Sequence, residues 1–170
     1  MEFLKLSAAR YSLRKFSDAP IEQEKLEQVM EAGRNCPTAH NKQPQRIFVL
    51  RSPEALEKVE RCTSMHFHAP VTLVVAYDPA GAWVREYDGK NHGEIDAAIA
   101  TTQMMLEAAD LGLGTTYVGV FEPDTLLKEF PEMAGLVPIA LLPIGYPGET
   151  ARPSRLHQDR RPLEELVKYL

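Results

Sequence analysis

Apolar and polar positions repeat with helical spacing in several stretches of the chain. Between residues 21 and 34, apolar side chains recur every three to four positions among Glu and Lys, which predicts a surface helix with one buried face. Pro20 fits the first position of that helix, where an N–H group is not needed. A shorter helix is predicted over 3–10. Ser52 followed by Pro53 predicts the cap and first residue of another helix.

Unbroken apolar runs predict buried strands. The run VTLVVAY at 71–77 is mostly apolar and β-branched, which predicts a central strand covered on both faces. Further strands are predicted at 47–50 and 137–144, and 113–121 is expected to pass directly from a helix end into a strand.

The stretch 94–112 has the longest helical pattern of the chain. It is rich in Ala, Met and Leu with few central charges, so it should be the most buried helix, with Gly112 as its C-cap. A short helix is predicted over 122–130. The long first connections argue against a βαβ ladder and favour an α+β fold. Neither a repeat nor a linker interrupts the sequence, so residues 1–170 are interpreted as a single domain.

Two long stretches contain turn residues without periodicity. The segment Asp78 to Gly93 also contains Trp83, and a loop of this length inside a compact domain is often a lid or a binding loop. Trp83 could shield a ligand or pin the loop to the body, and the sequence favours neither. The tail 145–170 is too polar and proline-rich for a core. It is expected to lie as an extended arm on another surface, which could be a second subunit.

Composition restricts the possible partners. The 170 residues are 44% hydrophobic and 25% charged, as in an ordinary globular protein, and the net charge of -5 argues against nucleic acid. No apolar run approaches the roughly 20 residues of a bilayer span, and the first residues lack a secretory apolar region. We therefore expect no membrane partner and a cytoplasmic location. Cys36 and Cys62 are expected to be free thiols.

Several common site motifs are missing from the sequence. No G-x-G-x-x-G follows a strand and no Walker loop is present, so a Rossmann or P-loop site is unsupported. His66 and His68 alternate as on one face of a strand, but no third ligand has a recognisable spacing. We therefore expect no metal site. Cys36 has no sequence feature that marks a base beside it, so it is a poor candidate nucleophile.

Two polar segments remain as candidates. RYSLRKF at 10–16 surrounds Ser12 with cations and aromatic rings. It could be a solvated basic turn or a phosphate-binding segment, since two guanidiniums and a hydroxyl fit the oxygens of a phosphoryl group. CPTAHNKQP at 36–44 has more amide and hydroxyl groups between its prolines than a plain connector needs.

Taken in order, four segments resemble the FMN-dependent nitroreductase family: RYSLRKF, PTAHNKQP, the Ala-rich helix that ends in LGLGTTYVGVF, and LPIGYPGE with RRPLEELV. The resemblance covers nearly the whole chain. It implies a central, mostly antiparallel sheet flanked by helices, in an intertwined homodimer with two FMN sites at the interface. It also implies NAD(P)H as co-substrate. Hydride would pass through flavin N5 to a nitroaromatic, quinone or similar small-molecule acceptor in a ping-pong cycle.

The resemblance also implies the residues that would hold FMN. The N-terminal phosphate and ribityl contacts would be Arg10, Tyr11, Ser12 and Arg14. A C-terminal arginine, Arg160 or alternatively Arg161, would complete the phosphate site. From the partner subunit, the flavin would be reached by Pro37, Thr38, Ala39 and Asn41. The isoalloxazine would be lined by Thr116, Tyr117, Val118, Gly119 and Val120. The backbone near Gly119 or Val120 would face N5, and no side chain is expected to act as an acid or base.

Two departures from the family pattern and two alternative functions accompany this hypothesis. Gln45 and Val120 stand where the family frequently has an aromatic residue and a glycine, and both could alter the space above the flavin. One alternative is a specialised branch that performs reductive dehalogenation or oxygen-dependent flavin breakdown. The other is a non-catalytic module that binds or sequesters FMN.

Overall fold

The computed structural model describes residues 2–170, in which helices and strands alternate over much of the chain. In chain order they are α1 (Phe3–Ala9), α2 (Gln23–Arg34), β1 (Gln45–Leu50), α3 (Pro53–Cys62), β2 (Val71–Tyr77), α4 (Gly93–Asp110), β3 (Gly114–Thr115), α5 (Pro123–Glu129), β4 (Val137–Gly145) and α6 (Leu163–Leu166). Short 3-10 turns occupy Ala39–Asn41 and Pro131–Met133.

The strands form one antiparallel sheet in the order β1-β2-β4-β3. In β2, which is paired on both edges, every residue but the last is buried, and this confirms the predicted central strand. Its side chains alternate between two cores. Leu73 and Val75 pack with residues of α2 and α4, whereas Val74 packs with residues of α3 and α5. Helices therefore cover both faces of the sheet, which confirms the predicted α+β fold.

Helix α4 is the long buried helix that the sequence predicts, and its end has the expected glycine. Gly112 has a φ of +79°, and the main-chain N–H groups of Gly112 and Leu113 donate to the carbonyls of Ala109 and Ala108 at 3.2 and 2.8 Å. This pair of bonds is a Schellman motif, which satisfies carbonyls that the end of the helix leaves unpaired. The chain can then turn at once into β3.

The start of α2 and the length of β3 differ from the prediction. Helix α2 begins at Gln23 and not at Pro20, because Glu22 is still extended and acts as the N-cap. Ile21, which precedes the N-cap, packs against the core cluster that contains Leu26, the fourth residue of the helix. This is the arrangement of a hydrophobic staple, which fixes the direction in which the chain enters the helix.

The strand predicted over 113–121 is reduced to Gly114–Thr115 and an isolated bridge between Val118 and Leu141. The ladder breaks opposite Pro143, which has no N–H to donate.

The tail after β4 contains only the four-residue helix α6, and none of the residues of that helix is buried. Within residues 2–170, Ser52 and Pro53 do cap and open α3 as predicted, with the Ser52 hydroxyl accepting from the Ala55 N–H at 3.2 Å. Among the helices of residues 2–170, none combines the length and apolar character of a membrane span.

Candidate functional site

A small polar pocket of about 180 Å³ lies where the extended segment after α1 meets the C-terminal tail. Its lining includes Arg10, Ser12, Arg14 and Arg160, so the pocket gathers residues from the two ends of the chain. Nη1 of Arg10 is buried and has no hydrogen-bond partner within residues 2–170. We refer to this site as the arginine pocket.

The positive charges of the arginine pocket lack a counter-charge within residues 2–170. Arg14 donates to the Ser12 carbonyl at 3.3 Å, and Arg160 donates to the Asp159 carbonyl at 2.8 Å. No carboxylate within residues 2–170 forms an ion pair with Arg10, Arg14 or Arg160. Burial, and then the charge of Arg160, lowers the pKa of Arg10. Gathered guanidiniums without a counter-charge form a site for a phosphate-sized anion.

The structure distinguishes the two C-terminal arginines. Arg160 lines the arginine pocket, whereas Nη1 of Arg161 lies 3.5 Å from a carboxylate oxygen of Glu165 on the exposed surface. The Tyr11 ring also lines the pocket and packs edge-to-face on His157, with 6.2 Å between ring centroids. The geometry therefore favours Arg160 over Arg161 as part of an anion site.

The segment after α4 pairs with the extended segment that contributes Ser12 to the arginine pocket. The Leu13 N–H donates to the Thr115 carbonyl at 2.9 Å, and the Thr116 hydroxyl donates to the Leu13 carbonyl. Gly114 permits this contact, because a Cβ there would lie 2.3 Å from the Leu13 side chain. These contacts fix the start of the segment 114–118 next to Ser12, which forms an isolated β-bridge with Thr115.

Further along this segment the main chain faces open space. Val118 pairs with Leu141 and is buried, but Tyr117 and Val120 are 41% and 68% exposed. Within residues 2–170, the N–H groups of Gly119 and Val120 have no hydrogen-bond acceptor, and no atom lies within 4 Å of a Cβ built on Gly119. Two main-chain donors are thus presented beside an open surface, where they can bind an external acceptor.

The PTAHN segment, residues 37–41, is held by the N-terminal part of α4. The Ala39 N–H donates to Oδ1 of Asp96 at 2.9 Å, and the Thr38 hydroxyl accepts from the Gln43 N–H at 3.1 Å. His40 and Asn41 have φ values of +52° and +53°, a conformation that is costly for residues other than glycine. The backbone of the segment is therefore kept in a strained shape by its surroundings.

Trp83 fastens the 78–93 loop to the PTAHN segment. Its ring stacks on His40, with centroids 5.0 Å apart and planes inclined by 20°, and its other neighbour is His92 at 4.7 Å. These ring contacts pin the loop to the body, which is one of the two roles left open for Trp83.

Asp96 is a residue that the sequence analysis missed. It is almost fully buried, and its Oδ2 has no hydrogen-bond partner within residues 2–170. Burial, and then the Asp96 charge, raises the pKa of the Cys36 thiol, which makes Cys36 a poor nucleophile at neutral pH. The sequence signal for Asp96 was a carboxylate among the Ala and Ile residues of a helix with few central charges.

The PTAHN segment and the arginine pocket lie at opposite ends of α4. Asp96 holds the PTAHN segment near the start of the helix, and Ala109, near its end, lines a cavity together with Arg10. Thirteen residues at 1.5 Å per residue separate Asp96 from Ala109, a distance of about 20 Å. One chain does not bring the two candidate segments together.

Comparisons with known proteins agree with this fold. A family model described as "Nitroreductase family" matches residues 8–67 and 60–146. A crystal structure of a nitroreductase family protein from Clostridium difficile 630 superposes with a TM-score of 0.93. It is 38% identical, and the match covers 99% of this chain and 98% of that one.

Two further relatives have names that mention FMN. The "FMN reductase [NAD(P)H]" of Bacillus subtilis is 27% identical over 93% of this chain and 71% of its own length. The "FMN-dependent Nitroreductase" of Clostridium difficile R20291 is 22% identical, with a TM-score of 0.80 over 98% of both chains, and this likeness bears on the fold alone. Because the family model matches most of the residues of this chain, the chain belongs to the nitroreductase family.

Proposed function

We propose that the protein is an FMN-dependent oxidoreductase that uses NAD(P)H to reduce a small-molecule acceptor, such as a nitroaromatic or a quinone, by a ping-pong mechanism. The observation that carries the proposal is the arginine pocket, where guanidiniums and a hydroxyl face one small space without a carboxylate partner in residues 2–170. The name of the Bacillus subtilis relative supports both FMN and NAD(P)H. When bound, FMN supplies the hydride-transfer chemistry.

The residues of the arginine pocket suit the phosphate of FMN. A phosphate dianion offers three acceptor oxygens, and the buried Nη1 of Arg10 is a donor that lacks an acceptor in residues 2–170. Arg10, Arg14 and Arg160 would hold the phosphate, together with the Ser12 hydroxyl. Such charge-assisted hydrogen bonds are about twice as strong as neutral ones.

The open segment beside the pocket suits the ring system. Residues 116–120 would lie along the isoalloxazine, and the N–H groups of Gly119 and Val120 would donate to it. A main-chain donor can polarise the reactive nitrogen without itself reacting or titrating, so no acid or base side chain is needed there.

We further propose that the working unit is a homodimer. The PTAHN segment lies about 20 Å along α4 from the arginine pocket, so it would complete the flavin site of a partner subunit. Large apolar side chains are exposed near both ends of the chain, which is typical of an interface. They are Phe3, Leu4, Leu163, Leu166 and Tyr169.

The visible spectrum of the purified protein tests the function directly. We expect flavin absorbance, bleaching by NADH or NADPH without oxygen, and turnover with menadione or a nitrofuran. A colourless protein that binds no added FMN would contradict the proposal. Bound FMN that neither nucleotide reduces would identify a binding module instead of an enzyme.

Mixed dimers test whether two chains share each site. Arg10→Gln disables the arginine pocket, and Asn41→Gly removes a side chain from the PTAHN segment while tolerating its positive φ. If the sites are shared, a dimer with one subunit of each variant has one intact site, and its activity should be about half that of the unmodified dimer. If each site is built within one chain, the mixed dimer will be no more active than the average of the two variant homodimers.

A further inference from the structure

The turn after α3 brings two histidines against the last turn of that helix. Nδ1 of His66 and Nδ1 of His68 each lie 3.5 Å from the same atom, Oε1 of Glu60. One possible ligand atom from each of the three residues lies within 4.8 Å of the other two. The two imidazole rings meet edge-to-face, with 4.3 Å between their centroids. Three side chains that bind metals therefore converge on one point.

The spacing of these atoms is that of a metal site. Zinc binds imidazole nitrogen and carboxylate oxygen at about 2.0–2.2 Å, so neighbouring ligand atoms of a tetrahedral site lie about 3.3–3.5 Å apart. The two distances from Oε1 of Glu60 match two edges of such a tetrahedron. Small rotations of the side chains would bring the remaining edge to the same length.

Metal binding at Nδ1 of His66 would replace one hydrogen bond. Nδ1 of His66 accepts from the main-chain N–H of His68 at 3.3 Å, and an imidazole nitrogen has a single lone pair. A metal ion bound to Nδ1 would therefore take the place of this long hydrogen bond, and the exposed His68 N–H would donate to water instead.

The surroundings favour a cation and leave room for one more ligand. The cluster lies at the C-terminal end of α3, where the helix dipole is negative. The neighbouring cation Arg61 is neutralised by a bidentate ion pair with Glu129, in which Nε and Nη2 of Arg61 donate to the two carboxylate oxygens at 2.9 and 2.8 Å. His66 has a side-chain exposure of 19% and His68 one of 82%, so one side of the cluster is anchored and the other is open to water.

We propose that Glu60, His66 and His68 bind one divalent first-row transition-metal ion, of which zinc is the best match, with water as the fourth ligand. No metal site was expected because no third ligand has a recognisable spacing in the sequence, and the fold supplies that ligand from the preceding helix. The ion would tie the 63–70 turn, which leads into β2, to the end of α3. The proposal does not depend on the proposed flavin chemistry.

The experiment is a calorimetric titration of zinc into the chelator-treated full-length protein, in whatever flavin state it is purified. We expect one zinc ion per chain and a rise in Tm with zinc. Glu60→Gln, His66→Gln and His68→Gln should each weaken zinc binding by at least about tenfold. Glu57→Gln is the matched control, because it removes the same charge from an exposed position one turn earlier on α3.

The outcomes are separable even if one variant folds poorly. His68 is largely exposed, so His68→Gln should fold normally, and the Tm of each metal-free variant checks this. Absence of stoichiometric zinc binding by the unmodified protein would overturn the proposal. So would zinc binding that any of the three correctly folded ligand variants retains unchanged, or that Glu57→Gln weakens equally.

Discussion

Arg10→Gln is the most direct test of the arginine pocket. Arg10 lines the arginine pocket, and its buried Nη1 has no acceptor in residues 2–170. Burial, and then the charge of Arg160, lowers the pKa of Arg10. A guanidinium in this position is unfavourable unless an anion joins it. Glutamine keeps part of the chain length and removes the charge.

The magnitude follows from the hydrogen bonds that the phosphate would lose. A hydrogen bond to a charged group contributes about 1.5–3 kcal/mol, which corresponds to an increase of about 10- to 150-fold in the Kd for FMN. Riboflavin lacks the phosphate but has the same ring and ribityl chain. The substitution should therefore leave the Kd for riboflavin nearly unchanged and reduce the preference of the apoprotein for FMN over riboflavin.

Quenching of flavin fluorescence on titration into apoprotein measures both dissociation constants. Arg155→Gln is the control, because it removes the same charge from the same tail outside the lining of the arginine pocket. The Tm of the flavin-free Arg10→Gln protein should be equal to or above that of the unmodified protein, since the repulsion from Arg160 is relieved. An unchanged Kd for FMN would refute the assignment. Equal weakening of FMN and riboflavin would show general damage to the site instead.

The remaining predictions concern the anchoring of the PTAHN segment, two glycines and the effect of salt on flavin binding. Asp96→Ala removes the acceptor of the Ala39 N–H and should lower the free energy of unfolding by about 1–3 kcal/mol in urea, whereas Asp96→Asn, which keeps an oxygen, should lose less. Gly93→Ala would put a Cβ 2.1 Å from the Tyr77 ring, so the Tm of this variant should fall. In Gly119→Ala the new Cβ meets no atom within 4 Å, so the Tm of this variant should equal that of the unmodified protein. Raising the salt concentration should weaken binding of FMN more than that of riboflavin, because screening acts on the phosphate contacts; equal weakening would contradict a charged pocket.

The regular elements could be predicted where one physical effect dominates the sequence. The run at 71–77 is apolar because both of its faces are covered, and its bounds are those of β2. Predictions failed where a neighbour decides the outcome. The early end of β3 depends on Pro143 in the adjacent strand, and the late start of α2 depends on how Ile21 packs. Neither interaction is visible from local periodicity.

The site could be predicted only segment by segment. The motif at 10–16 identifies candidate cations, but the closeness of Arg10 and Arg160 depends on where the tail lies. For the same reason the sequence left Arg161 as an alternative to Arg160, and the ion pair of Arg161 with Glu165 appears only in the fold. Glu60 was missed because its partners follow on a turn with left-handed backbone at His68, which spacing rules do not describe.

Asp96 shows what signal the sequence did contain. A carboxylate on the buried face of a helix rich in Ala and Met is unfavourable unless hydrogen-bond donors meet it there. Asp96 is the fourth residue of α4, and the donor that meets its Oδ1 comes from outside the helix, from the main-chain N–H of Ala39. A lone buried carboxylate in such a helix therefore predicts that an irregular segment docks against it. In this fold the docked segment is PTAHN, and its contact with Asp96 lies at the start of α4, about 20 Å along the helix from Ala109, which lines a cavity together with Arg10.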